Sequence, residues 1–162
     1  MFVEKTETLI AMAKAVPEEL RGTYRPLRDT RDEEGFFVSH RGTKLPCQWT
    51  SNDLATLQEH RHIFIDEVQF LEPAAIRKIQ EFLLKGINFT LAGLDLDYRG
   101  QPFGPVPSLM AFADTILKMS TKCAQCGDLA TRTFRKVQSE DLFLVGDEKL
   151  YEPRCLRCFV HG

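Results

Sequence analysis

The chain has 162 residues, 43% of them hydrophobic and 27% charged, with a formal net charge of −2. That length holds one core and a small appended module, and the near-neutral balance gives no electrostatic basis for nucleic acid as the main partner. No apolar run approaches the roughly 20 residues that cross a bilayer, and MFVEKTETLI lacks the charged start and apolar run of a secretory signal, so a cytoplasmic protein with reduced thiols, without a membrane partner, is expected.

Leu9, Ile10, Met12, Ala13 and Val16 recur at helical spacing before Pro17, which predicts a helix opening near Lys5-Thr6. A Lys-Thr pair at a helix start is where a phosphate-binding loop delivers its lysine and its Mg²⁺-binding hydroxyl. Both glycines of the pattern G-x-x-x-x-G-K-[ST] are absent: the first would lie upstream of Met1, and Glu4 occupies the second position. From Pro17 to Gly42 the chain is polar and reads as a solvated loop, with a short strand at Thr23-Tyr24 and a turn at Ser39-His40 and Gly42. Leu45, Cys47 and Trp49 alternate as a brief strand, and Asp53 to His60 reads as a short helix capped by Ser51 or Asn52.

His62-Ile63-Phe64-Ile65 is an apolar run that stops at Asp66-Glu67. Such a run reads as a buried parallel strand, and the C-terminal edge of a parallel sheet is where ligands bind; an ordinary strand ending in an acidic turn has the same pattern. Pro73 opens a helix that runs to Lys85 and stops at Gly86, with Ile76, Ile79, Phe82 and Leu83 on its apolar face. Ile87 to Leu94 is a second strand, ending at Asp95, so the middle of the chain is a βαβ unit. Gly100 to Pro107 forms a shaped loop of the kind that carries specificity. A helix from Ser108 to Met119 then turns Leu109, Phe112, Ala113, Ile116 and Leu117 inward.

Cys123-x-x-Cys126 and Cys155-x-x-Cys158 flank two predicted strands, Thr131 to Val137 and Leu142 to Val145. This is the spacing of a two-knuckle zinc ribbon, four thiolates closing a structural Zn²⁺ site. A redox C-x-x-C is the competing reading. Cys47 has no partner in this pattern and reads as a small apolar residue.

Taken together these motifs resemble the cytosolic, zinc-containing, tetrameric thymidine kinase family. The residues that carry the likeness are Met1-Phe2-x-x-Lys5-Thr6, Asp29-Thr30-Arg31, Ser39-His40, Ile65-Asp66-Glu67-Val68-Gln69-Phe70, Gly93-Leu94-Asp95-x-Asp97-Tyr98-Arg99-Gly100-x-Pro102-Phe103-Gly104, and the two Cys pairs led by Tyr151-Glu152-Pro153-Arg154. The resemblance implies an α/β fold with a P-loop-type parallel sheet and flanking helices over residues 1–119, and a zinc-ribbon domain over 120–162 that carries the nucleoside-binding loop. It implies transfer of the γ-phosphate of ATP to the 5′-hydroxyl of thymidine, with Glu67 as the general base. Phe2, Val3, Glu4, Lys5, Thr6, Asp29, Arg31, Asp66 and Gln69 fall on the ATP side, Thr6 and Asp66 holding Mg²⁺. Met1, Phe70, Leu94, Tyr98, Phe103, Thr133, Leu142, Leu144, Val145 and Tyr151 fall on the thymidine side; without the family, Leu94, Leu142 and Leu144 would read as plain core. A homotetramer and feedback by dTTP are further implications.

The chain departs from the family in two places. The family has a strand before its phosphate loop, whereas Met1 already lies in that loop; the expectation is a sheet without its first strand, its neighbours' edges left open, through a mis-set start or a fragment. A carboxylate at Glu4 adds a side chain and repulsion toward a polyanion, on the order of a few kcal/mol at ~4 Å in a partly desolvated site. A catalytically impaired relative that keeps zinc and nucleoside is therefore the alternative. A zinc-ribbon module for nucleic acid is disfavoured, since Arg154 and Arg157 make too small a basic surface.

Overall fold

The computed structural model describes residues 3–27, 35–138 and 149–162. Met1, Phe2, Asp29, Arg31, Leu142, Leu144 and Val145 lie outside the described residues, as does the predicted strand Leu142 to Val145.

In chain order the elements are α1 (Lys5–Lys14), β1 (Arg21–Pro26), β2 (Phe36–Val38), β3 (Lys44–Pro46), β4 (Gln48–Thr50), β5 (His62–Ile65), α2 (Ala74–Leu84), β6 (Asn88–Leu91), α3 (Val106–Phe112), β7 (Thr121–Lys122), β8 (Leu129–Ala130), β9 (Arg132–Arg135), β10 (Tyr151–Arg154) and α4 (Leu156–Val160). Four strands form one parallel sheet in the order β4-β1-β5-β6. Side chains alternate across a strand, and both faces of β5 are covered. Ile63 and Ile65 join α2 and α3 through Ala75, Ile79, Phe82, Val106 and Leu109. Phe64 points the other way, into Leu9, Ile10 and Ala13 of α1 and into Phe37 and Leu45 of the antiparallel β2–β3 pair. This two-sided burial explains why β5 is a continuous apolar run rather than an alternating one. The predicted βαβ unit is present: β5, α2 and β6 follow one another, and β5 and β6 pair in parallel from His62↔Asn88 to Ile65↔Leu91.

Several elements differ from the sequence expectation. The polar stretch after Pro17 contains β1, a strand flanked by β4 and β5, with Gly22, Tyr24, Arg25 and Pro26 buried. The short strand expected at Thr23-Tyr24 is thus present but longer and buried: Arg25 is 2% exposed, its guanidinium donating to the Phe36 carbonyl and lying over the Trp49 ring. Leu45 lies in β3 and Trp49 in β4, strands of different sheets, and Cys47 falls between them. Asp53 to His60 is not a helix. Leu54 takes a left-handed conformation at φ 62°, and the Asp53 carboxylate accepts the Ala55 N–H, so the segment turns and drops Leu54 and Leu57 into the core.

The predicted helix from Ser108 to Met119 begins at Val106 instead and stops at Phe112, because Ala113 is extended. Phe112, Ile116 and Leu117, expected inward, are exposed. Met12, on the expected inner face of α1, and Leu83, on that of α2, are also exposed. β6 ends at Leu91 rather than Leu94. β9 is shorter than Thr131 to Val137 and pairs antiparallel with β10. β6 is the last strand of the sheet among the described residues, and its free flank borders a cavity of about 500 Å³. Among the described residues the sheet is contiguous, with β4 as its other end strand.

Candidate active site and metal centre

The acid pair sits where β5 leaves the sheet. Asp66 and Glu67 are 4% and 9% exposed. Glu67 is left-handed at φ 53°, a conformation that costs a non-glycine residue on the order of 1–2 kcal/mol and draws attention to function. Its N–H donates to Asp66 Oδ1 at 2.9 Å. The helical turn Val68–Phe70 follows, tied to the end of β6 by the Val68 N–H donating to the Ala92 carbonyl at 3.0 Å.

The start of α1 faces this pair. The Thr6 hydroxyl donates to Asp66 Oδ2 at 2.7 Å. Burial, reinforced by the Glu67 charge beside it, pushes the Asp66 carboxyl up to about 6, while the Lys5 charge and the Thr6 hydroxyl pull the other way. A cluster of hard oxygens, a lysine and a helix N-terminus suits a cation together with phosphate. Glu4 is also left-handed, at φ 54°, so the position where the phosphate-loop pattern calls for glycine has the backbone conformation that glycine favours. Its carboxylate pairs with the exposed Arg41.

Gln69 is 2% exposed. Its amide donates to Glu67 Oε2 and accepts the Leu94 N–H at 3.0 Å. Phe70 and Phe103 meet edge to face at 6.1 Å between centroids. Asp97 shapes the loop between them, its Oδ1 accepting the N–H groups of Arg99 at 2.8 Å and Gln101 at 2.9 Å. Val3, Lys5, Leu94 and Thr133 line the cavity beside β6. Tyr98 and Tyr151 are joined by a residue the sequence reading passed over. The Arg135 guanidinium lies 3.5 Å from the Tyr98 ring centroid, and its Nη2 donates to the Tyr151 hydroxyl at 3.0 Å. The available signal was period-two alternation, which puts Thr133 and Arg135 on one face of β9.

The four cysteines converge. The Sγ atoms of Cys123, Cys126, Cys155 and Cys158 all lie within 4.8 Å of one another. Gly127, at φ 79°, turns the first knuckle so that its N–H donates to the Cys123 carbonyl; in the second, the Cys158 N–H donates to Cys155 Sγ. Against the upward push of burial, the N–H groups of Cys155, Cys126 and Gln125 draw the Cys123 thiol down to about 6. Sharing with Cys126 and Cys155 pushes Cys158 up to about 12. Crowded thiolates resist ionising together, and a soft dication removes that penalty; the donor set fits a metal such as zinc. Arg154 braces the second knuckle, with its Nη1 donating to the Cys158 carbonyl at 3.0 Å and its guanidinium over Phe134.

A parallel α/β sheet with an acid-tipped strand facing a lysine-led helix, together with a four-cysteine metal centre, defines a P-loop-type protein with a zinc-ribbon-like appendage. The family profile described as Thymidine kinase matches residues 1–159. The thymidine kinase of Bacteroides thetaiotaomicron is 35% identical over 167 residues, covering 100% of this chain and 84% of that protein. That of Porphyromonas gingivalis is 33% identical over 164 residues (98% and 80%), and that of Mycoplasma mobile 38% over 138 residues (83% and 69%). The chain belongs to the thymidine kinase family.

Proposed function

We propose that the chain transfers the γ-phosphate of ATP to the 5′-hydroxyl of thymidine, giving dTMP and ADP. The observation that carries this reading is the opposition of Asp66 and Glu67 at the end of β5 to Lys5 and Thr6 at the start of α1, closed by the Thr6–Asp66 hydrogen bond. Phosphoryl transfer asks the protein chiefly for positioning and charge stabilisation. Glu67 accepts the 5′-hydroxyl proton as that oxygen attacks the γ-phosphorus and the bond to the ADP oxygen breaks. Lys5 neutralises phosphate oxygens. Thr6 and Asp66 would hold Mg²⁺, which, when bound, offsets the charge of the phosphates.

Phe70, Leu94, Tyr98, Phe103, Thr133 and Tyr151 form the thymidine side, an apolar pocket with a few placed polar groups. The four-cysteine cluster takes structural Zn²⁺ and organises residues 120–162 as a domain that carries nucleoside contacts, while 1–119 forms the ATP-binding domain. The protein acts as a cytoplasmic homotetramer open to feedback by dTTP. The described residues contain no helix long and apolar enough to cross a membrane. A radiolabelled thymidine phosphorylation assay tests the reading. The wild-type chain is expected to turn over ATP and thymidine, and E67Q to lose at least a hundredfold in kcat; equal turnover by E67Q would remove Glu67 from the chemistry.

A further inference from the structure

The acid that would take the proton must be aimed as well as placed. Glu67 has a flexible side chain on a left-handed backbone, and a base must lie within hydrogen-bond reach of the proton it removes. Gln69 is one residue that constrains Glu67, through a hydrogen bond to its carboxylate. Its amide orientation follows from its partners: the Leu94 N–H can only donate and the Glu67 carboxylate can only accept, so Oε1 faces Leu94 and Nε2 faces Glu67. The surroundings are cleared for it. A Cβ on Gly93 would lie 2.9 Å from Gln69 Oε1, and one on Gly104 would lie 2.3 Å from the Gln69 carbonyl oxygen. Both are closer than real Cβ contacts allow: Gly93 leaves room for Val68 Cγ2, which would lie 2.8 Å from such a Cβ, as well as for the Gln69 amide, and Gly104 leaves room for the Gln69 main chain.

We infer that Gln69 is a positioning residue that locks the Glu67 carboxylate to the main chain at Leu94, coupling the base to the loop on the thymidine side, and that it does not contact phosphate. This rests on the reading of Glu67 as the base, and it replaces the phosphate-side role that the family resemblance implies for Gln69. Ligand seated against the 93–104 loop and the aim of the base would then be linked through one buried amide.

The test is a double-mutant cycle of Q69M and E67Q, with KM and kcat measured separately and zinc content and thermal melts recorded for each variant. Q69M is expected to lower kcat 10- to 100-fold, as loss of an orienting partner does, with KM for ATP within about twofold of wild type. In the E67Q background, Q69M should cost nothing further. A raised KM for ATP with kcat retained, or additive losses in the double variant, would overturn the inference and leave Glu67 as the base. Full activity of E67Q would remove the base reading and the inference with it. If Q69M does not fold, Q69L removes the donor without adding a charge beside Glu67 and carries the same expectations. Side-chain ¹³C relaxation of the Glu67 carboxyl needs no turnover. It should report a newly mobile carboxylate in Q69M, and an unchanged carboxylate refutes the lock.

Discussion

The Asp66 carboxylate is held in a place that penalises its charge, so D66N should trade activity for stability. Burial and the neighbouring Glu67 raise its pKa from the usual 3.8 to about 6. The folded chain therefore binds a proton at Asp66 more tightly than the unfolded chain does. The stability this group contributes is complete below pH 3.8, falls as pH rises through 6, and is absent above it. Carrying that buried carboxylate ionised costs the wild type on the order of 3 kcal/mol at pH 7.5. Asparagine removes the charge at almost the same volume. Its oxygen can still accept the Glu67 N–H, and the Thr6 hydroxyl can turn to accept from the new amide, keeping both short contacts. D66N is therefore expected to be more stable by about 3 kcal/mol at pH 7.5 and by about half that at pH 5. Urea denaturation of zinc-loaded, Mg²⁺-free protein should show this as a midpoint raised by about 1 M or more. Thymidine phosphorylation should be lost. A D66N midpoint at or below that of wild type, or a gain independent of pH, would refute the account of Asp66 as a group whose ionisation strains the fold.

Glu4 holds the left-handed backbone that glycine adopts without cost. E4G should therefore lower KM for ATP in steady-state kinetics, by removing a carboxylate from the phosphate approach, and should leave the melting temperature unchanged or raised; a weaker affinity for ATP would show that the pairing of Glu4 with Arg41 matters more than the glycine. Chelation should release one zinc per chain, measured by mass spectrometry. Because a metal there would support a small core built, among the described residues, around Cys123, Ala130 and Cys155, near-ultraviolet signals of Tyr151 should be lost before the far-ultraviolet signal of α1 and α2. Coincident loss of both signals would show that the sheet depends on the metal.

Much of the architecture can be read from the sequence because it is locally encoded. Two-sided burial makes β5 an unbroken apolar run, Pro73 and Gly86 bracket α2, and the two C-x-x-C pairs state their own ligand geometry. These signals need only the periodicity and stereochemistry of neighbouring residues. Partners distant in sequence decided the rest. β1 is a strand because β4 and β5 pair with it, and Arg25 is buried because a carbonyl and an indole ring receive it. The Ser108 to Met119 pattern has helical spacing, yet it is cut at Ala113 and leaves Ile116 and Leu117 exposed.

The site divides along the same line. Asp66 and Glu67 announce themselves as acids closing an apolar strand, but their roles depend on what faces them. Only the folded chain puts Thr6 against Asp66 across 60 residues of sequence and Gln69 between Glu67 and Leu94. Residue types and their spacing determined which groups can do chemistry. Tertiary structure decided which of them are desolvated, paired and aimed, because burial and hydrogen bonding are properties of the surroundings rather than of the residue.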